Sequence, residues 1–271
     1  MNESKRITQL DSVRFFMCLM IVFGHCTFLD GTSLGWIRHK ISNATLPLDY
    51  FFILSGFGIY YAANKLNSLI KFNTLYSCIL YAIKKIKKIY PVYVIILLIY
   101  APLYLLSGSL IQYSVLLLLD LTMMQSLAPT VLLSHAICGP FWFLSVLFIS
   151  YIFCPLFYYL VKKCTNRGLY VLAIITMAII LLTHWLSIKY ANQPYMLLGK
   201  EFLFDIGSTP YTNIWKPLLG MILGRWYCEN KSKISARIGG GGSNMPIYAY
   251  VSLVSQYYYQ ALGFFNMDTV Y

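Results

Sequence analysis

The chain has 271 residues, of which 59% are hydrophobic, 17% aromatic and only 11% charged, and its mean hydropathy is +0.64. Soluble domains carry roughly a quarter charged residues, so this composition excludes a soluble globular protein, a disordered chain and a small secreted scaffold. The formal charge of +12 comes from 21 Lys and Arg against 9 Asp and Glu. With no soluble domain to carry nucleic acid, it reads as basic residues held in the cytoplasmic loops of an all-α, polytopic membrane bundle.

A spanning helix needs roughly 20 mostly apolar residues. The first apolar run, Val13 to Leu29, follows Lys5 and Arg6 and has no small-residue cleavage site after it, so a retained helix is predicted. The second run is Leu46 to Ala63. Between Asn64 and Lys88 the chain carries Lys65, Lys71, Lys84, Lys85, Lys87 and Lys88 and no acid. This places the 64–88 loop, and with it the N-terminus, in the cytoplasm. The third run, Ile89 to Leu106, has Pro91 in its first turn, where a missing N–H costs little.

Runs at Leu110 to Leu127, Phe141 to Val161, Leu169 to Ile188 and Trp215 to Tyr227 bring the expectation to about six to eight membrane helices. If all of them span, Lys162, Lys163 and Arg167 fall outside, against the positive-inside rule. A 110–127 segment that re-enters or lies at the interface puts them inside, and Asp120 within it argues against a lipid-facing span. Residues 1–238 then form one transmembrane domain. Gly239 to Gly242 and Ser243 open a flexible linker over 239–245, and 246–271 is a Tyr-rich last helix or an atypical tail. The seven cysteines are scattered without metal-ligand spacing, so neither a disulfide framework nor a metal site is predicted. No internal repeat of the transporter kind is present.

Ionisable groups inside membrane helices are costly and mark function. Arg14 and His25, eleven residues apart, fall on nearly one helix face with roughly 16 Å between them along the axis. An arginine holds anions through bidentate hydrogen bonds, and a neutral imidazole takes a proton from an attacking hydroxyl. The alternatives are a topology-setting arginine and a satisfied interior histidine. His39 beside Arg38 and Lys40 reads as solvated, and His135 and His184 have no partner at useful spacing.

Four blocks in order resemble the membrane acyltransferase-3 family. They are Arg14 through Gly24-His25 (an Arg-x10-His opening), Asp49-Tyr50-Phe51-Phe52-Ile53-Leu54-Ser55-Gly56-Phe57, Lys84-Lys85-Ile86-Lys87-Lys88-Ile89-Tyr90-Pro91, and Phe141-Trp142-Phe143-Leu144 followed by Tyr151. The resemblance implies an integral-membrane O-acyltransferase, with no bound cofactor, in a bacterial cytoplasmic membrane. It would move an acyl group, most often acetyl, from acyl-CoA to a hydroxyl of a cell-envelope or exported carbohydrate. It further implies His25 as catalytic base and Arg14 as a donor contact, with Lys85 and Lys88 on the donor phosphates. The family's paired arginines are lysines here, which keeps charge and loses the bidentate fork.

Two readings stand for each supporting residue. Ser55 is an acyl carrier or, with Gly56, a close helix contact. Asp49 orients His25 or marks the acceptor entrance, or is a plain interfacial carboxylate. Trp142 and Tyr151 line a channel or belong to an interface belt. Members usually carry more helices than the runs counted here, so a shortened and inactive member is one rival reading, and a transporter or flippase of lipid-linked sugars is another.

Overall fold

The computed structural model describes residues 8–43, 46–65, 74–105, 110–135, 137–197 and 200–237. It divides into two compact units, one of Met1–Leu54 with Trp226–Tyr271 and the other of Ser55–Arg225. The linker and tail read at 239–271 lie outside the described residues.

In the first unit, α1 (Thr8–Gly24) stops earlier than the apolar run suggests, because the chain turns at His25 and enters a short 3-10 turn at Thr27–Leu29. After it, α2 (Gly35–Asn43) packs back against α1. Gly35 permits this return: a Cβ there would stand 2.9 Å from the Leu29 carbonyl oxygen. The unit also takes the first half of α3 (Leu46–Lys65), where Asp49 sits in the first turn at 2% exposure.

The second unit begins within α3 and continues through the basic segment. From Thr74 onward that segment is no loop. Thr74 and Ser77 form a capping box that starts α4 (Leu75–Ile86). Cys78, Ala82 and Ile86, spaced four residues apart, are buried, and the helix packs on α8 (Trp142–Lys163). The next helix, α5 (Tyr90–Leu105), buries Tyr93, Leu97 and Ala101 on one face and exposes Val92, Ile95, Leu98 and Ile99 on the others. Such a helix suits protein on one side and lipid on the rest.

The 110–127 run does not form one span. α6 (Leu110–Leu121) has 12 residues, roughly 18 Å against a hydrocarbon core of about 30 Å. Met123, at φ 55°, turns the chain, and a short 3-10 turn follows at Gln125–Leu127. Buried irregular backbone must find partners. Tyr90 and Tyr93 of α5 donate hydroxyl protons to the Leu121 and Asp120 carbonyls (2.9 and 2.7 Å), Ser145 to Met123 (2.8 Å) and Ser126 to Trp142 (3.3 Å). Tyr93, Met123, Ile137, Phe141, Phe148 and Ile149 form the apolar core around these bonds.

A four-residue α7 (Val131–Ser134) leads to α8, and α9 (Asn166–Lys189) follows it. Then come a hairpin of β1 (Pro194–Leu197) and β2 (Lys200–Leu203), a short α10 (Pro210–Asn213) and α11 (Trp215–Arg237). The hairpin adds two four-residue strands to an otherwise helical set of described elements. Its strands are too short for an alternating pattern to stand out in the sequence. α11 outruns the predicted 215–227 span, because its charged second half continues the helix beyond the apolar run.

Among the described residues three helices are long and apolar enough to cross a membrane: Leu46–Asn64, Gly139–Lys163 and Asn166–Lys189. Tyr90–Pro102 is apolar but shorter. The apolar runs suggested six to eight spans; as described, α1, α5 and α6 are shorter than 18 residues, and 106–109, between α5 and α6, lie outside the described residues. α9 buries little besides Leu169, Thr176 and Ile180 and exposes Val171, Ile174, Ile175 and Leu182, as a helix bathed in lipid should.

Candidate active site

The last turn of α1 presents His25. Its backbone N–H reaches the Ile21 and Val22 carbonyls (3.2 and 3.1 Å), so it still closes the helix although it lies one residue past its end. Its ring Nδ1 lies 2.7 Å from the Ile21 carbonyl oxygen. A carbonyl only accepts, so Nδ1 carries the proton. In the neutral ring Nε2 is therefore the unprotonated nitrogen, and the side chain is exposed. This is the tautomer a general base requires.

Arg14 lies near the other end of α1. It is exposed and paired with Asp11 (2.8 Å), one turn earlier. Thr27 and Asp30 follow His25, and Asp30 accepts from the Arg38 Nε at 2.5 Å. Arg38 is 7% exposed, and its Nη1 donates to the Gly24 carbonyl at 3.0 Å. His39 stands 3.2 Å from the same Asp30 carboxylate. His39 is exposed, as a solvated residue should be, yet it shares the Asp30 carboxylate with the buried Arg38. Asp49 is buried rather than interfacial.

In the second unit, Lys85 and Lys88 are both exposed at the end of α4 and just beyond it. The Lys85 ammonium lies 5.4 Å above the Tyr81 ring, and burial there lowers its pKa. Ser55 is half-buried, and beside it Gly56 touches Pro217 of α11, where any Cβ would overlap the proline carbonyl. Trp142 is half-buried with its ring edge-on to His135 (centroids 6.4 Å apart), and Tyr151 packs against the apolar core.

His135 is the residue that sequence reasoning passed over. Its Nδ1 lies 3.2 Å from the Gly139 carbonyl, and its Nε2 lies 3.0 Å from Asp205 Oδ2 and 3.1 Å from Ser208 Oγ. Ser134 donates to Asp205 Oδ2 (3.3 Å), and the Ser208 amide to Asp205 Oδ1 (3.1 Å). Burial by itself would raise the Asp205 pKa; the hydrogen bonds from His135 and Ser208 outweigh it and hold the carboxyl below its usual value. These partners come from two distant loops, and no local pattern announces them.

A bundle of lipid-length helices with an ordered imidazole at a helix end defines an integral-membrane protein with a candidate acid–base site. The acyltransferase-3 model, described as an acyltransferase domain, matches residues 7–270. The chain belongs to that family, and is a membrane acyltransferase. No curated protein and no solved structure matches it.

Proposed function

We propose that this chain is a membrane-bound O-acyltransferase that moves an acyl group, acetyl first among them, from acyl-CoA to a hydroxyl of a cell-envelope or exported carbohydrate. One observation carries the reading: the Nδ1–H bond to Ile21 leaves His25 Nε2 as a base within an acyltransferase-family motif. In the transfer step the acceptor hydroxyl oxygen attacks the thioester carbon while Nε2 takes its proton. The carbon–sulfur bond then breaks and the CoA sulfur leaves with the bonding pair. The imidazolium formed returns the proton to that sulfur.

Arg14 supplies a cation for the donor end, sharing its guanidinium between Asp11 and an incoming anion. Lys85 and Lys88 add positive charge suited to the nucleotide phosphates. The apolar bundle limits hydrolysis of the thioester by water. The lysines of 64–88 agree with a cytoplasmic donor side and N-terminus in a bacterial inner membrane.

The test is label transfer from radiolabelled acetyl-CoA to an envelope glycan extract by the full chain in nanodiscs. His25→Ala is expected to lower transfer by about 100-fold or more. Equal transfer by a folded His25→Ala variant overturns the assignment. Absence of CoA release from folded wild type overturns the activity.

A further inference from the structure

An α-helix leaves its last four carbonyls without intrahelical partners, and the end of α1 accounts for all of them. The Ile21 carbonyl receives the His25 N–H and Nδ1–H, and Val22 receives the His25 N–H and the Cys26 thiol (3.2 Å). Phe23 receives the Cys26 N–H at 3.1 Å. The Gly24 carbonyl receives a side chain from another helix, the buried guanidinium of Arg38.

That bond bears on His25 directly. The Gly24 carbonyl and the His25 N–H belong to the same peptide plane. Rotation of that plane withdraws the His25 N–H from Ile21 and Val22, and the ring then loses its reach to Ile21. Arg38 in turn is held by Asp30 on Nε, and α2 is brought close by the absence of a Cβ at Gly35. A buried guanidinium is expensive to desolvate, and water could satisfy one carbonyl at far lower cost. A positive charge at a helix C-terminus is favourable, but Asp30 offsets part of that benefit. What the guanidinium adds over water is geometry: two donors in a rigid plane fix Gly24 relative to Asp30.

We propose that Arg38 is a positioning residue for His25: by clamping the Gly24 carbonyl to Asp30, it sets the orientation and the Nδ1–H tautomer of the imidazole. The inference rests on the reading of His25 as the base, yet its first readout is independent of turnover. Full chain in nanodiscs, labelled with 15N-histidine, gives ring nitrogen signals, and the His25 set is assigned by its loss in His25→Ala. Wild type is expected to show unprotonated Nε2 and protonated Nδ1. Arg38→Gln is expected to shift the population to the reverse tautomer, which predominates for imidazoles without a fixed Nδ1 acceptor. Asp30→Asn, which keeps the size of the carboxylate and loosens the clamp, is expected to give a smaller shift in the same direction and covers a failure of Arg38→Gln to fold.

In the transfer assay Arg38→Gln should lower kcat about 10- to 100-fold, as a displaced base does, with both KM values within about threefold. Arg38→Lys, which keeps the charge but loses the rigid planar fork, should recover part of the loss. A wild-type tautomer in folded Arg38→Gln or Asp30→Asn overturns the proposal. A tautomer shift in a chain whose wild type transfers no label sustains the clamp and overturns the activity instead.

Discussion

His135 Nε2 lies 3.0 Å from Asp205 Oδ2, and through this contact the segment before α8 is tied to the segment before α10. The tie is part of a longer seam. Asp205 N–H donates to the Pro129 carbonyl (3.0 Å), Thr130 bridges Phe204, and the Tyr211 hydroxyl reaches the Leu127 carbonyl (2.9 Å). With Nδ1 committed to the Gly139 carbonyl, a proton on Nε2 makes the ring a cation facing a carboxylate. The arrangement clasps two loops, and its partners already occupy both ring nitrogens.

Asp205→Asn should therefore destabilise the second unit by about 1–3 kcal/mol, the cost of removing the charged acceptor from a partly buried network. The pH dependence follows from a carboxyl whose folded pKa lies below its unfolded one. Such a group contributes stability that is fully present above the unfolded value of roughly 4 and is lost as pH falls through the folded value. Thermal unfolding in detergent should fall off more steeply for wild type than for Asp205→Asn below about pH 4. Parallel curves would show that Asp205 is not held below its ordinary value.

Gly56 and Gly58 make an internally controlled pair on α3. A Cβ at position 56 would overlap the Pro217 carbonyl, whereas at 58 it would meet nothing within 4 Å. Both lie in the same helix, so alanine removes the same backbone entropy at each. Gly56→Ala should cost about 3 kcal/mol by forcing α3 and α11 apart. Gly58→Ala should be neutral or stabilising by up to about 1 kcal/mol. Melting midpoints of the two variants that move together would mean that α3 and α11 do not meet at Gly56.

The sequence was legible where structure depends on local pattern. The runs at 46–63, 141–161 and 169–188 became helices because length and apolarity decide a span. Other features depend on partners far along the chain. The basic stretch around Lys84 to Lys88 hid α4, whose burial of Cys78, Ala82 and Ile86 has meaning only against α8. α1 ends at Gly24 inside an apolar run, since its last carbonyl is satisfied by Arg38, fourteen residues on. His135 finds Asp205 seventy residues away, and nothing in either neighbourhood foretells it.

Arg225 holds the turn between α8 and α9. At 8% exposure its Nη1 donates to the Val161 and Cys164 carbonyls (2.5 and 2.6 Å), with Nη2 3.4 Å from Asn166 Oδ1. It thus caps carbonyls at the end of α8 and adds positive charge at that helix's negative pole. Arg225→Met should cost about 3 kcal/mol, since it leaves buried carbonyls unpaired. Arg225→Lys should recover less than half, because an ammonium lacks the planar fork. Amide exchange at 161–166 reads the effect, and unchanged exchange in Arg225→Met would refute the cap.

Lys85 and Lys88 stand one helical turn apart and should contribute differently to donor binding. Both are exposed, but the Lys85 ammonium is drawn over the Tyr81 ring, where partial desolvation lowers its pKa. A solvated charge contributes roughly 0.4–1 kcal/mol to an anion contact, so Lys88→Met should raise the acyl-CoA KM by about two- to fivefold at low salt. The effect should shrink as ionic strength rises and the Debye length contracts. A lowered pKa means that Lys85 loses its proton below the usual lysine range, so the KM penalty of Lys85→Met should fade on the alkaline side. KM profiles for both variants that stay level with wild type across salt and pH would remove the two lysines from the donor site and leave them as topology anchors.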